Sequence, residues 1–129
     1  MNRLQEFLDN PHIITGTATV AADPQLTLIA ANKALYTLVG ETAESCHQQG
    51  NSLLPWIEQS SAVRLIGLLA GHPPLFDWEG VLVRKDATSV RIRLSGTRME
   101  GVLHKGQYPV YLSALTDLAS VEEMLRSAE

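Results

Sequence analysis

Beyond Gly71-His72-Pro73-Pro74 the sequence settles into a period of two, and this alternation restricts the fold more than any other feature. In SVRIRLSG, Val90, Ile92 and Leu94 alternate with Arg91, Arg93 and Ser95, so an extended strand there has one apolar and one polar side. Such a strand is half-buried and belongs to an antiparallel sheet with one face on a core. GVLVRK precedes it, and QYPVYLSAL follows with Val110, Leu112 and Ala114 on one side. The covering layer must come from helices elsewhere in the chain.

Those helices are legible upstream. LIAANKALYTLVG, Leu28 to Gly40, starts as a strand and ends as a helix. Asn32 is placed to cap the helix through its side-chain oxygen, and Gly40 to close it in the left-handed conformation. Short helical pieces follow from Thr42 and around SLLPWI, then a longer one in SAVRLIGLLAG with Ser60 or Ser61 as its cap. Before them, TGTATVAA (Thr15 to Ala22) and QLTLIAA read as two strands joined by an Asp23-Pro24 turn. Leu4, Phe7 and Leu8 repeat at helical spacing and Pro11 forbids continuation, so residues 2–9 form a short amphipathic helix. In the tail, Leu118, Val121 and Leu125 have the spacing of a coiled-coil seam. The expected class is α+β: a five-stranded antiparallel sheet with short helices on one face, an N-terminal amphipathic helix and a C-terminal exit helix.

With 129 residues and 45% apolar side chains the chain suits one domain with a true core. Ten basic side chains against fourteen acidic ones, a net charge of −4, provide no field for a phosphate backbone, so no nucleic-acid partner is expected. No apolar run is long enough to span a bilayer and MNRLQEFLDN lacks a signal-peptide core, so a cytoplasmic protein without a membrane segment is expected. The lone Cys46 excludes an internal disulfide and reads as an inert thiol. His12, His47 and His104 have no metal-ligand spacing, and no metal site is expected. No nucleophile–base pair, phosphate loop or paired carboxylates stand out, so no catalytic residue is assigned.

The order of these pieces resembles a PAS domain. The resemblance spans roughly residues 12–117 and rests on ADPQLTLIAANKALYTLVG, GNSLLPWI, FDWEGVLVRKDATSVRIRLSG and YPVYLSALTDLASVEEML taken together. Gln25 and Ala87 stand where the family commonly has turn glycines, and Ala114 where its exit motif has aspartate. The resemblance implies a pocket between sheet and helices, with Asn32, Trp56, Val63, Ile66, Trp78 and Leu112 as candidate lining. It implies a relay through Ala114, Thr116, Asp117 and Leu118. A homodimer is expected through Leu4, Phe7, Leu8, Val121 and Leu125, since an isolated two-turn helix must bury its apolar face.

On this reading residues 1–11 are a helical cap, 12–117 the PAS domain and 118–129 the start of a signalling helix. The chain is expected to be the sensory front of a longer protein, binding a small ligand or partner and driving a downstream diguanylate cyclase. A histidine kinase is the alternative effector, and a small cone-shaped α+β enzyme with a proton-transfer pocket the alternative class. The cofactor is left open. SAVRLIGLLAG offers no histidine to a haem, and Cys46 falls too early to form a covalent flavin adduct.

Overall fold

A computed structural model describes residues 3–10, 17–119 and 125–126. Its elements are α1 (Arg3–Asp9), β1 (Ala18–Ala22), β2 (Leu28–Ala31), α2 (Lys33–Val39), α3 (Ala43–Gln48), a 3-10 turn (Leu54–Trp56), α4 (Gln59–Leu69), β3 (Leu75–Val83), β4 (Ser89–His104) and β5 (Tyr108–Asp117). The five strands form one antiparallel sheet in the order β2-β1-β5-β4-β3. The last strand therefore lies in the middle, with Ala114 paired to Thr19 on one side and Ser95 on the other. The start of the strand expected from Thr15 lies outside the described residues.

Asn32 does more than cap. Its Oδ1 accepts the Leu35 N–H at 3.0 Å and the Thr19 N–H at 3.0 Å, and its Nδ2 donates to the Thr17 carbonyl at 2.7 Å. One side chain thus starts α2 and ties it to β1. Gly40 ends α2 with φ 74°, its N–H on the Tyr36 carbonyl. Thr42 caps α3 by accepting from the Ser45 N–H at 3.0 Å.

α4 departs from expectation. It starts at Gln59, so neither Ser60 nor Ser61 is its cap; Glu58 holds that position without a side-chain capping bond. Ser61 is fully buried instead, and its hydroxyl accepts the Val81 N–H at 3.2 Å. Together with the Glu58 N–H on the Val81 carbonyl at 3.0 Å, this occupies outward backbone groups of the edge strand β3.

The opposite edge is covered by α1. Gln5 donates to the Ala31 carbonyl at 2.6 Å and accepts the Ala31 N–H at 3.2 Å, so its amide acts as a short piece of strand beside β2. Leu8 is only 2% exposed and packs with Ala21, Ala30 and Val110, flanked by Leu4 and Leu112. This corrects the argument that α1 needs a second copy to bury its apolar face. The outer face of the chain's own sheet covers Leu8, and of the three apolar residues only Phe7, 38% exposed, is classed as exposed.

Candidate functional site

The inner face of the sheet and the helices enclose a cavity. As space open to the centre of a water-sized sphere it measures about 40 Å3, with an almost wholly apolar wall. Leu35 and Val39 of α2, Leu53, Trp56 and Ile57 around the 3-10 turn, and Leu65 and Leu69 of α4 form the helical side. Phe76, Trp78 and Leu82 of β3, Ile92 and Leu94 of β4, and Tyr111, Ser113 and Leu115 of β5 form the floor. The Phe76 ring lies across Gly96, where a β-carbon would stand 2.1 Å from a ring carbon, and meets Tyr111 edge-on at 5.4 Å. The Tyr111 hydroxyl donates to the Pro73 carbonyl at 2.6 Å, tying the α4–β3 loop to the central strand.

Of the residues singled out from sequence, the structure brings Trp56 and Trp78 together in this wall. Asn32, 5% exposed, is absent from the wall; all its bonds brace the backbone. Val63 and Ile66 are corrected as pocket residues, being 65% and 39% exposed. α4 turns Ser61, Ala62, Leu65 and Leu69 inward instead. α4 carries two apolar stripes, one with Leu65 and Leu69 and one with Val63 and Ile66, and periodicity alone does not choose between them. Leu112 is also corrected: it packs on the outer face with Leu8 and Val110, while Tyr111, Ser113 and Leu115 face the cavity. β5 is covered by helices on one side and by α1 on the other, so its alternation does not announce which face is concave. The missed wall residues of β5, Tyr111, Ser113 and Leu115, belong to the odd-numbered set that the same alternation defines.

Polar groups at the wall are few. The indole Nε1 atoms of Trp56 and Trp78 are buried and meet no hydrogen-bond partner among the described residues. Asp23, 3% exposed, is already engaged: Oδ1 accepts the Gln25 and Thr27 N–H groups at 2.9 and 3.0 Å, and Oδ2 lies 2.8 Å from His104 Nδ1. No lysine, arginine or histidine stands among the described wall residues. Cys46 is buried in α3 outside the wall, and burial, then the nearby Glu41 carboxylate, push its thiol upward. The cavity does not fit a haem, for want of room and of a histidine, cysteine or methionine in the wall, where the one tyrosine hydroxyl, that of Tyr111, is held by the Pro73 carbonyl, and it places no thiol for a flavin adduct. Among the described residues no cluster of metal-binding side chains occurs, and no helix is long and apolar enough to cross a membrane.

The residues expected from sequence to form a relay continue from this floor. Ala114 lies between β1 and β4, with cavity residues Ser113 and Leu115 on either side of it in sequence. Thr116 is exposed and pairs with Arg93. Two residues beyond Leu115, the Asp117 carboxylate accepts the Ala119 N–H at 2.9 Å, and 118–119 are helical. Leu118 is half-buried and Leu125 is 63% exposed. Val121 lies outside the described residues.

The fold recurs in solved structures. A PAS domain of an HTR-like protein from Haloarcula marismortui is 19% identical, with 89% of this chain and 88% of that one covered at a TM-score of 0.65. The chain has the PAS fold. A domain of a sensory box sensor histidine kinase/response regulator from Geobacter sulfurreducens is similar at 11% identity, 90% and 92% coverage and a TM-score of 0.64. A PAS domain from a two-component sensor histidine kinase is similar at 11% identity, 80% and 86% coverage and a TM-score of 0.63. No protein-family model matches the sequence, and no curated protein matches it.

Proposed function

We propose that residues 12–117 are a non-catalytic sensory module that takes a small ligand in the cavity and relays its arrival along β5. The observation that carries this reading is the spacing on one strand: Ser113 and Leu115 form cavity floor, and Asp117 caps the turn that leaves the sheet. A ligand that favours one packing of helices over sheet biases the exit helix by its differential affinity for the two packings. The effector is proposed as a diguanylate cyclase on resemblance, with a sensor histidine kinase as the alternative, the setting named for two of the structural neighbours. Homodimerisation belongs to the same proposal, through Phe7 and Leu125, the exposed members of the expected set among the described residues. The setting is a cytoplasmic one.

The test fills the cavity without a ligand. Ser113→Val adds apolar bulk to the floor, and the amide resonances of Asp117 and Ala119 report the exit. Displacement of both resonances is expected; unmoved resonances in a folded variant refute the relay. Sedimentation of the domain with and without residues 1–10 reads the dimer, and a monomer in both removes it.

A further inference from the structure

The void between helices and sheet narrows what the sensory module takes, an inference that rests on the sensory reading above. Each polar side chain in the described wall is engaged elsewhere or turned from the void. The Trp56 and Trp78 indole Nε1 atoms are buried and present no surface to it. The Tyr111 hydroxyl donates to the Pro73 carbonyl, and the Asp23 carboxylate is held by the Gln25 and Thr27 N–H groups and by His104. The Ser113 hydroxyl packs against Gly96, where a β-carbon would stand 2.5 Å from it. What faces the void is almost wholly carbon.

That wall decides the chemistry of a guest. A buried water needs about two to four polar partners, so this void stays dry although its volume, about 40 Å3, exceeds the roughly 10–15 Å3 that one water requires. A charged molecule would surrender its hydration for no counter-charge, because no lysine, arginine or histidine stands in the wall. A hydroxyl or carbonyl would lose its hydrogen bonds to water and recover none. Size sets the other bound. An apolar cavity of roughly 150 Å3 accepts a benzene ring, so about 40 Å3 corresponds by proportion to about two heavy atoms.

We infer that the cavity is a dry site for an uncharged apolar molecule of about two heavy atoms without hydrogen-bonding groups, the class of dioxygen and the shortest hydrocarbons. Such a guest restores dispersion contacts that the wall atoms lack across the void. It binds the packing in which the void is open and not one in which α4 and the sheet have closed it. This is the differential affinity that a relay through Ser113 and Leu115 needs.

In 13C-labelled protein the wall methyl groups of Val39, Leu65 and Ile92 report the guest, and those of the exposed Val63 and Leu103 serve as controls. Xenon and ethane under pressure are expected to shift the wall methyls saturably and leave the controls in place. Methanol, of ethane's size, and benzene are expected to shift neither set. Dioxygen, being paramagnetic, is expected to broaden the wall methyls beyond the controls. With dioxygen and ethane at equal concentration, persistent broadening assigns the site to dioxygen and its loss to the hydrocarbon, either result supporting the class. Val39→Ile adds a methyl group to the wall and is expected to abolish the xenon shifts. Ile92→Val removes one, keeps the test open where the first variant does not fold, and is expected to lower the pressure at which the shifts saturate. Methanol or benzene shifting the wall methyls as far as xenon does, a long-lived water giving nuclear Overhauser effects to them, unchanged xenon shifts in a folded Val39→Ile, or no response to xenon, ethane and dioxygen overturns the ligand class. None of these results touches the relay, which Ser113→Val tests with no ligand present.

Discussion

The Trp78 indole lies flat over Gly80: a β-carbon on that glycine would stand 2.2 Å from two carbons of the six-membered ring. The Arg64 guanidinium also sits over the Trp78 ring, 5.9 Å from its centroid, and donates to the Glu79 carbonyl at 3.2 Å. The shape of the cavity thus depends on a residue with no side chain. Gly80→Ala is expected to force the indole from its seat and destabilise the fold by about 1–3 kcal/mol, the cost of an overpacked core. Urea unfolding measures the loss and near-ultraviolet circular dichroism reports the displaced ring.

Asn32 joins β1 to α2 through three hydrogen bonds, so its removal reaches beyond a helix end. Asn32→Ala loses a cap and leaves the buried Thr19 N–H unpaired, for a combined cost of about 2–4 kcal/mol. A loss under 1 kcal/mol in chemical denaturation would contradict the bracing role.

Gln5 holds α1 on the sheet edge by its paired contacts with Ala31. Gln5→Ala is expected to cost about 1–2 kcal/mol, from two modest net hydrogen bonds. Hydrogen exchange at the Ala31 amide should quicken, with the amides of β3, at the other edge, unchanged.

Asp77 is an exposed carboxylate in a bidentate pair with Arg93 at 2.9 and 2.7 Å, with the Ser95 hydroxyl donating at 2.7 Å. The hydrogen bonds from Arg93 and then Ser95 hold it at about 2, below the ordinary 3.8. A carboxyl lowered on folding stabilises above its unfolded value, and the contribution fades as pH falls through the folded one. The pair is therefore intact above about pH 4 and lost towards pH 2. Arg93→Gln should bring the 13C carboxyl titration midpoint of Asp77 back towards its ordinary value; an unmoved midpoint would rule out the pair as the cause.

Ala87 turns the β3–β4 hairpin at φ 69°, the conformation for which the related pattern keeps glycine. Left-handed backbone costs an alanine about 1–2 kcal/mol, and glycine's extra unfolded freedom returns only about 0.4–1 of it. Ala87→Gly should therefore stabilise the domain by roughly 0.5 kcal/mol in thermal or urea unfolding. At the first hairpin the left-handed residue is Leu26, φ 64°, one position after Gln25. There the Asp23 carboxylate receives the Gln25 and Thr27 amides and holds the turn.

Element type and order were decided by local physics that any reader of the sequence can apply. Alternation at Val90, Ile92 and Leu94, the strand-to-helix switch at Asn32 and the stop at Gly40 each depend on a few neighbouring residues, and all stand in the fold. Tertiary structure alone decided which face each element turns inward. α4 offers Val63 and Ile66 as plausibly as Leu65 and Leu69, and β5 offers Leu112 as plausibly as Ser113 and Leu115, because an element apolar on both sides has no pattern to orient it. The orientation comes from what lies across the gap. Gly80 and Gly96 admit two aromatic rings on one face, while Gln5 and Leu8 bring α1 onto the other. Trp78 and Gly80 are two residues apart on β3, but the contacts of Phe76 with Gly96, of Gln5 with Ala31 and of Leu8 with Val110 join residues far apart in the chain, and the cavity comes from them.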